Sequence, residues 1–308
     1  MAERDHRTAR IDSELDLGFE VDARLTLSPL RHGPHDPVTR FETGGAVWRA
    51  SRTPAGTATV RLSRAGRGWR VVAWGEGAEL AVEALPRLLG AEDDPTALDL
   101  PPGPLRDLSR RLVGLRFGRS DDVMGSLVPA IIEQKVSGPE AQRSYRALVL
   151  RHGERAPGPG GLVVPPPPER IAALPYHELH PLGLEQRRAM TLIRAAGRGA
   201  WLQEGLAMSR ETAAARLRSV PGVGAWTTAE TLRTAMGDPD ALSLGDFHTP
   251  HLVSWALAGE ARSDDARMLE LLEPYRGQRA RLVRLLELAG LFPPRYGSRV
   301  RHRSIAAM

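Results

Sequence analysis

The hydrophobic period of this chain changes once, and that change constrains the fold more than any single motif does. Through the first 90 residues apolar and polar positions alternate. Ala58, Val60 and Leu62 stand between Thr57, Thr59 and Arg61, and Trp69–Trp74 continues in the same manner. From Phe19 to Leu27 every odd position is apolar (Phe19, Val21, Ala23, Leu25, Leu27) and every even one polar. A period of two is that of a half-buried strand. Gly77–Gly90 then carries Leu80, Ala84, Leu88 and Leu89 on one helical face. Together these predict a small antiparallel sheet with a helix.

The acid-rich stretch Glu92–Asp99 and the prolines of Pro101–Pro104 read as a linker, and beyond it the period is helical. Asp122 is placed to cap a helix carrying Val123, Leu127, Ile131 and Ile132. Ser137-Gly138-Pro139-Glu140 has the form of a capping box with proline in the first turn, so a second helix begins there and ends near Gly153. Residues 156–168 are mostly Pro and Gly and predict an exposed loop. Helical patterns return at 185–198, 209–219, 225–236, 248–258, 264–273 and 277–290. The expected plan is a loose polar N-terminus (1–16), an α+β domain (17–98), an all-helical domain (99–292) and a tail (293–308) holding Arg295, Arg299, Arg301 and Arg303. No internal repeat is present.

Composition removes several kinds of chemistry. The chain has 308 residues, 42% hydrophobic and 26% charged, which is globular. It has no cysteine, so disulfides, thiol catalysis, thiolate-bound zinc and a cysteine-ligated iron–sulfur cluster are excluded. Met1–Glu14 is charged and unlike a signal peptide, and no apolar run of ~18 residues exists to span a membrane. The expected location is cytoplasmic. The formal net charge is +5, and Lys135 is the one lysine among 42 basic residues. A surface of guanidinium groups suits phosphate, although an arginine-favouring genome gives the same bias.

The motif with the most chemistry is Pro221-Gly222-Val223-Gly224, a turn between two helical patterns. Its glycines let the main chain approach a ligand closely, and N–H groups at a helix N-terminus make an anion site. Leu217 and Val220 would anchor the turn to the core. Such corners also occur where nothing binds. Asp246 follows Gly224 by 22 residues, between Gly245 and Phe247. An aspartate in that setting is either a helix cap or turn residue, or a charge placed for chemistry. His248 and His251 beside Asp246 admit a metal reading, against which stand the intervening Pro250 and the lack of further ligands.

Hairpin and downstream aspartate together resemble the helix-hairpin-helix DNA glycosylase superfamily. Trp226, two residues after the hairpin, stands where bifunctional members carry a Schiff-base lysine, and so resembles the monofunctional 3-methyladenine DNA glycosylase II branch. Trp226 is otherwise a core tryptophan. Glu133-Gln134-Lys135-Val136-Ser137 is similar to that branch's Gln-x-Val-Ser segment, in which the residue after glutamine fills the hole left by an extruded base. That residue is commonly leucine or glutamine; Lys135 departs from the pattern, since a lysine fills space and pairs with phosphate but does not stack. Leu182-Gly183-Leu184 with Arg187 and Arg188 resembles the helix start before the hairpin, and Pro274-Tyr275-Arg276 the family's Pro-Trp-Arg.

The resemblance implies an α+β N-terminal domain followed by a two-lobed all-α glycosylase domain. It implies base-excision repair by a monofunctional glycosylase that hydrolyses the N-glycosidic bond of N-alkylated purines (3-methyladenine, 7-methylguanine) flipped from duplex DNA. Asp246 would be the catalytic carboxylate, Trp226 and Tyr275 pocket walls, and Pro221, Gly222, Val223, Gly224, Gln134, Lys135 and Ser137 the DNA contacts. No cofactor is implied beyond a structural monovalent cation at the hairpin, and no catalytic metal or iron–sulfur cluster. The partner would be double-stranded DNA carrying damaged bases, bound by a nucleoid-associated monomer. The competing expectations are a glycosylase for another base, such as hypoxanthine or a bulky adduct, and a non-catalytic DNA-binding protein of the same fold.

Overall fold

A computed structural model describes residues 10–294; the arginines of the tail lie outside the described residues. Five strands form one antiparallel sheet: β1 (Arg10–Leu15), β2 (Thr39–Phe41), β3 (Val47–Thr53), β4 (Gly56–Ala65) and β5 (Gly68–Trp74). Their spatial order is β1-β5-β4-β3-β2. Val47, Val60, Leu62, Val71 and Ala73 point to one face and bury with α1 (Ala23–Leu27), α2 (Ala78–Glu83) and α3 (Leu85–Leu88). Pro86 divides the expected single helix of 77–90 into the last two.

Two expectations fail here. Arg10–Leu15, expected to be loose, is an edge strand paired with β5 from Arg10↔Trp74 to Leu15↔Trp69, and Asp12 binds the Arg70 guanidinium through both oxygens at 2.9 and 2.8 Å. Phe19–Leu27, expected to be a strand, ends in helix α1. Asp22 accepts the N–H groups of Arg24 and Leu25 at 2.9 and 3.0 Å and so starts a helical turn. Ala23, Thr26 and Leu27 then bury at helical spacing. Over nine residues the alternation fits either structure, and the cap decides.

The remaining helices are α4 (Pro104–Arg111), α5 (Val123–Ile132), α6 (Gly138–His152), α7 (Pro168–Ala172), α8 (Tyr176–Leu179), α9 (Gln186–Ala196), α10 (Gly199–Gln203), α11 (Arg210–Arg218), α12 (Ala225–Ala235), α13 (Thr249–Ala258), α14 (Asp265–Leu272) and α15 (Arg279–Leu288). They pack about two separate buried clusters. One takes α5, α6, α9, α11 and α12; the other takes α13, α14 and α15. Asp122 caps α5 through Gly125 N–H at 2.7 Å, and Ser137 N–H donates to Glu140 at 3.2 Å at the start of α6.

The Pro/Gly segment 156–168 is not simply an exposed loop. Val163–Val164 pairs as a short strand with Glu154–Arg155, and Ala156, Leu162 and Val164 are buried. Trp48 and Trp74 of the sheet stack at 5.4 Å. A side chain at Gly158 would collide with Trp74, and one at Gly160 with Trp48. Arg40 donates to the Gly160 carbonyl at 2.8 Å, and Val163 N–H to that of Pro37 at 2.9 Å. The glycines are there because two indoles need the space.

The linker is also anchored. Asp93, with a side chain 2% exposed, pairs with Arg281 on α15, whose side chain is 3% exposed. Asp93 also accepts Phe117 N–H at 2.9 Å, and Arg281 donates to Gln278 at 2.7 Å and lies over the Phe117 ring. Removing one partner strands the other charge in the interior, a loss of about 3–5 kcal/mol. Asp93→Ala should therefore lower unfolding stability by that amount in chemical denaturation, and replacing Asp93 and Arg281 together by apolar residues should cost less than Asp93→Ala alone.

Candidate active site and nucleic-acid interface

The turn between α11 and α12 is held from below. Leu217, Val220 and Val223 are buried, and Val223 N–H closes the turn on the Val220 carbonyl at 3.0 Å. Val223 is thus an anchor whose N–H is already committed, so the outward donors are fewer than three successive residues from Gly222 would supply. Pro221, Gly222 and Gly224 are exposed at the tip, and Gly224 precedes α12, whose first-turn N–H groups have no intrahelical acceptor. The two glycines differ. Gly222 has φ +98°, and a Cβ there would run into Thr191 of α9; Gly224 has φ −99°, open to any residue, with nothing within 4 Å of a Cβ. Glycine is needed for the fold at the first position and leaves clear space for a ligand at the second.

The segment after α5 meets this turn directly. Gln134 donates from Nε2 to the Gly222 carbonyl at 3.0 Å and to Thr227 Oγ1 at 2.8 Å, so its amide ties the two segments together. Lys135 has φ +54°, which non-glycine residues rarely adopt, and is exposed. Ser137 donates its hydroxyl to the Glu140 carboxylate at 2.8 Å, beside the capping-box bond from its own N–H. Arg188 is buried against the end of α5, donating to the Ile132 carbonyl at 2.8 Å and the Gly183 carbonyl at 3.1 Å, while Arg187 stays exposed.

Gln134, Lys135, Ser137, Gly222, Gly224, Trp226 and Asp246 line one groove of about 830 Å³, together with Arg187 and Phe247. Pro221 and Val223 adjoin it without lining it. A second cavity of about 280 Å³ opens from the same place and shares Trp226, Asp246 and His248 with the groove. Tyr275 lies in neither. It packs against the second helical cluster after α14, and so is not a wall of this cavity.

Both oxygens of Asp246 are engaged. Oδ1 accepts the N–H groups of His248 (2.7 Å) and Thr249 (2.8 Å) and the Thr249 hydroxyl (2.9 Å), which caps α13. Oδ2 accepts the Trp226 indole N–H at 3.2 Å. Burial opposes the charge, but these four donors outweigh it and hold the carboxyl below the usual carboxylate range. Asp246 is therefore a fixed anion beside an aromatic wall, in a turn pinned by Gly245 N–H donating to Asp265 at 2.8 Å.

Sequence reasoning passed over three residues here. Glu230 and Arg233 follow Trp226 by four and seven residues on α12 and line the smaller cavity with Ser243. The i, i+4, i+7 spacing beside a tryptophan was the available signal. Phe247, 75% exposed at the groove, is the third. His251 accepts Ser263 N–H at 3.0 Å. Among the described residues no group of three or more His, Cys, Asp or Glu is placed to hold a metal, and no helix is long and apolar enough to cross a membrane.

No protein-family model and no curated protein matches the sequence. Solved structures do match in fold. A 3-methyladenine DNA glycosylase from Archaeoglobus fulgidus superposes with a TM-score of 0.74 at 24% identity, over 92% of this chain and 100% of its own. An 8-oxoguanine glycosylase/lyase from Clostridium acetobutylicum in its apo form gives 0.69 at 12%, over 91% and 97%. A 3-methyladenine DNA glycosylase from Schizosaccharomyces pombe in complex with abasic DNA gives 0.51 at 17%, over 64% and 96%. The chain shares the fold of these DNA glycosylase structures.

The two glycines give a test of the interface. Gly222→Ala should lower stability by about 1–3 kcal/mol, because it forces an alanine into a left-handed conformation against Thr191. Gly224→Val should leave the thermal midpoint almost unchanged and weaken duplex binding on the order of 10–100-fold at every sequence, the value of about one charged hydrogen bond. Fluorescence anisotropy on several unrelated duplexes separates this from a sequence-selective loss, which would contradict phosphate anchoring.

Proposed function

We propose that this protein is a monofunctional DNA glycosylase of base-excision repair that removes N-alkylated purines such as 3-methyladenine and 7-methylguanine. The observation that carries the reading is the ionised Asp246, fixed by four donors where the groove opens into the smaller cavity. The groove takes the duplex, with the hairpin and the first turn of α12 toward phosphate. The two helical clusters form the two lobes on either side of it.

The target nucleotide leaves the stack at a cost of a few kcal/mol and enters the smaller cavity. Trp226 stacks on the base, and a cationic alkylpurine adds a cation–π attraction. Three carboxylates (Glu230, Asp246, Glu287) and one guanidinium (Arg233) line the cavity, a balance that favours a cation. Such a base leaves without a dedicated acid. Asp246 then stabilises the oxocarbenium-like sugar or activates the attacking water. Lys135 fills part of the gap in the duplex. A structural monovalent cation fits the donor type of the hairpin: the Val220 and Gly222 carbonyls each accept one hydrogen bond and keep a second lone pair. It takes part in no step.

Asp246→Asn keeps a cap for α13 and removes the charge. It should retain binding to abasic-site duplex and lose excision by about 10²–10³-fold or more, read as single-turnover release of base from methylated DNA. Near wild-type release would end the assignment. Because the Asp246 carboxyl lies below its usual range, the anion persists through the ordinary carboxylate range and is lost only as pH falls through that lowered value. The wild-type rate should therefore show no acid limb from Asp246 between about pH 5 and 8.

Trp226 has no amine, and Lys135 is the one lysine of the chain. Borohydride reduction on abasic DNA should therefore give little covalent adduct, and the product strand should stay intact. A strong adduct that disappears in Lys135→Ala would make the enzyme a lyase.

A further inference from the structure

The smaller cavity contains a charged cluster that the proposed hydrolysis does not use. Glu230 accepts the Ser243 hydroxyl through Oε1 and the Arg233 guanidinium through Oε2. Glu230 stands one turn beyond Trp226 on α12, so the aromatic wall and the carboxylate face the same space. A half-buried carboxylate and guanidinium, their side chains 17% and 26% exposed, are costly where packing alone is required, since apolar residues of similar size serve as well or better. Each carboxylate oxygen holds one donor and has a second lone pair. Glu230, with acceptor capacity left, thus lines a cavity that the Trp226 indole also lines.

We propose that Glu230, oriented by Arg233 and Ser243, accepts hydrogen bonds from the N–H edge of the extruded purine, so that the cavity selects bases carrying donors on that edge over bases without them. The inference rests on the glycosylase reading and names the substrate class of the same site. A 7-alkylguanine presents N1–H and the N2 amino group side by side, which matches two carboxylate oxygens. A 3-alkyladenine presents its N6 amino group. A 1,N6-etheno ring ties up both positions and leaves a base that stacks equally well but cannot donate. Opposite such a base the remaining lone pairs of Glu230 are cut off from water without gaining a donor, and that penalty is the basis of the discrimination. The positive charge of an N-alkylated purine lies next to Glu230 and offsets its burial, which raises the Glu230 carboxyl above its usual range in the empty cavity.

The test is equilibrium binding of the free bases 7-methylguanine and 1,N6-ethenoadenine by calorimetry, together with single-turnover excision of 7-methylguanine, 3-methyladenine and 1,N6-ethenoadenine from duplex DNA. Wild type should prefer 7-methylguanine. Glu230→Gln keeps the shape and puts a donor where an acceptor was. It should lose 7-methylguanine binding and excision on the order of 10–100-fold while 1,N6-ethenoadenine is unchanged or improved. Ser243→Ala, which leaves the Glu230–Arg233 pair in place, should shift selectivity in the same direction by less. Unchanged affinity for abasic-site duplex shows that each variant is folded. Equal losses for both bases, no loss for either, or a wild type without preference would each overturn the inference. Free-base binding needs no turnover. A wild type that binds 7-methylguanine selectively but excises nothing would sink the glycosylase reading and leave this inference standing.

Discussion

The Trp226 indole N–H bonded to Asp246 at 3.2 Å joins two parts of the molecule that share no core. Trp226 stands in the first turn of α12, the helix after the hairpin, which packs into the first cluster through Ala229, Leu232 and Ala235; Asp246 binds the first N–H of α13, the helix that opens the second. A carboxylate can hold both because its two oxygens act separately. Oδ1 satisfies the orphan N–H groups at the start of α13, and Oδ2 reaches across to the indole. The same four donors that orient the group keep it ionised. The position and the charge of this carboxylate thus depend on the same hydrogen bonds that start α13.

A second set of contacts keeps the rest of the groove rigid. Gln134 links the Lys135 turn to the hairpin carbonyl, and the buried Arg188 fixes the end of α5 to the start of α9. Lys135 sits at positive φ directly after these two anchored positions, a backbone conformation that its residue type rarely adopts. Residues expected to touch DNA therefore divide in two. Gly222, Gln134, Val223 and Ser137 build the surface; Gly224, Lys135 and the N–H groups of α12 are what it presents.

The sheet domain is joined to the helices through elements that composition labels as connectors. The acid-rich segment carries Asp93, whose pairing with Arg281 needs a partner 188 residues away. The Pro/Gly segment carries the glycines that accept Trp48 and Trp74. In both cases the local sequence shows that no long helix or strand can form, which is correct, but says nothing of what the segment packs against.

The sequence by itself determined the sheet-then-helix order, the caps at Asp122 and Ser137, and the hairpin with its apolar anchors Leu217 and Val220. These are local or periodic properties, set by hydrogen-bond geometry within a few residues of each other. Only the tertiary structure decided that Asp22 starts a helix inside an alternating run, that Arg10–Leu15 adds an edge strand, that Gly224 is free of any backbone requirement, and that Tyr275 lies away from the cavity. It alone brought Ser243 to the Glu230–Arg233 pair of α12. The physical reason is that a carboxylate on a helix reads as a solvated charge until the neighbouring elements remove the water around it, and burial is a property of the packed chain, not of the residue.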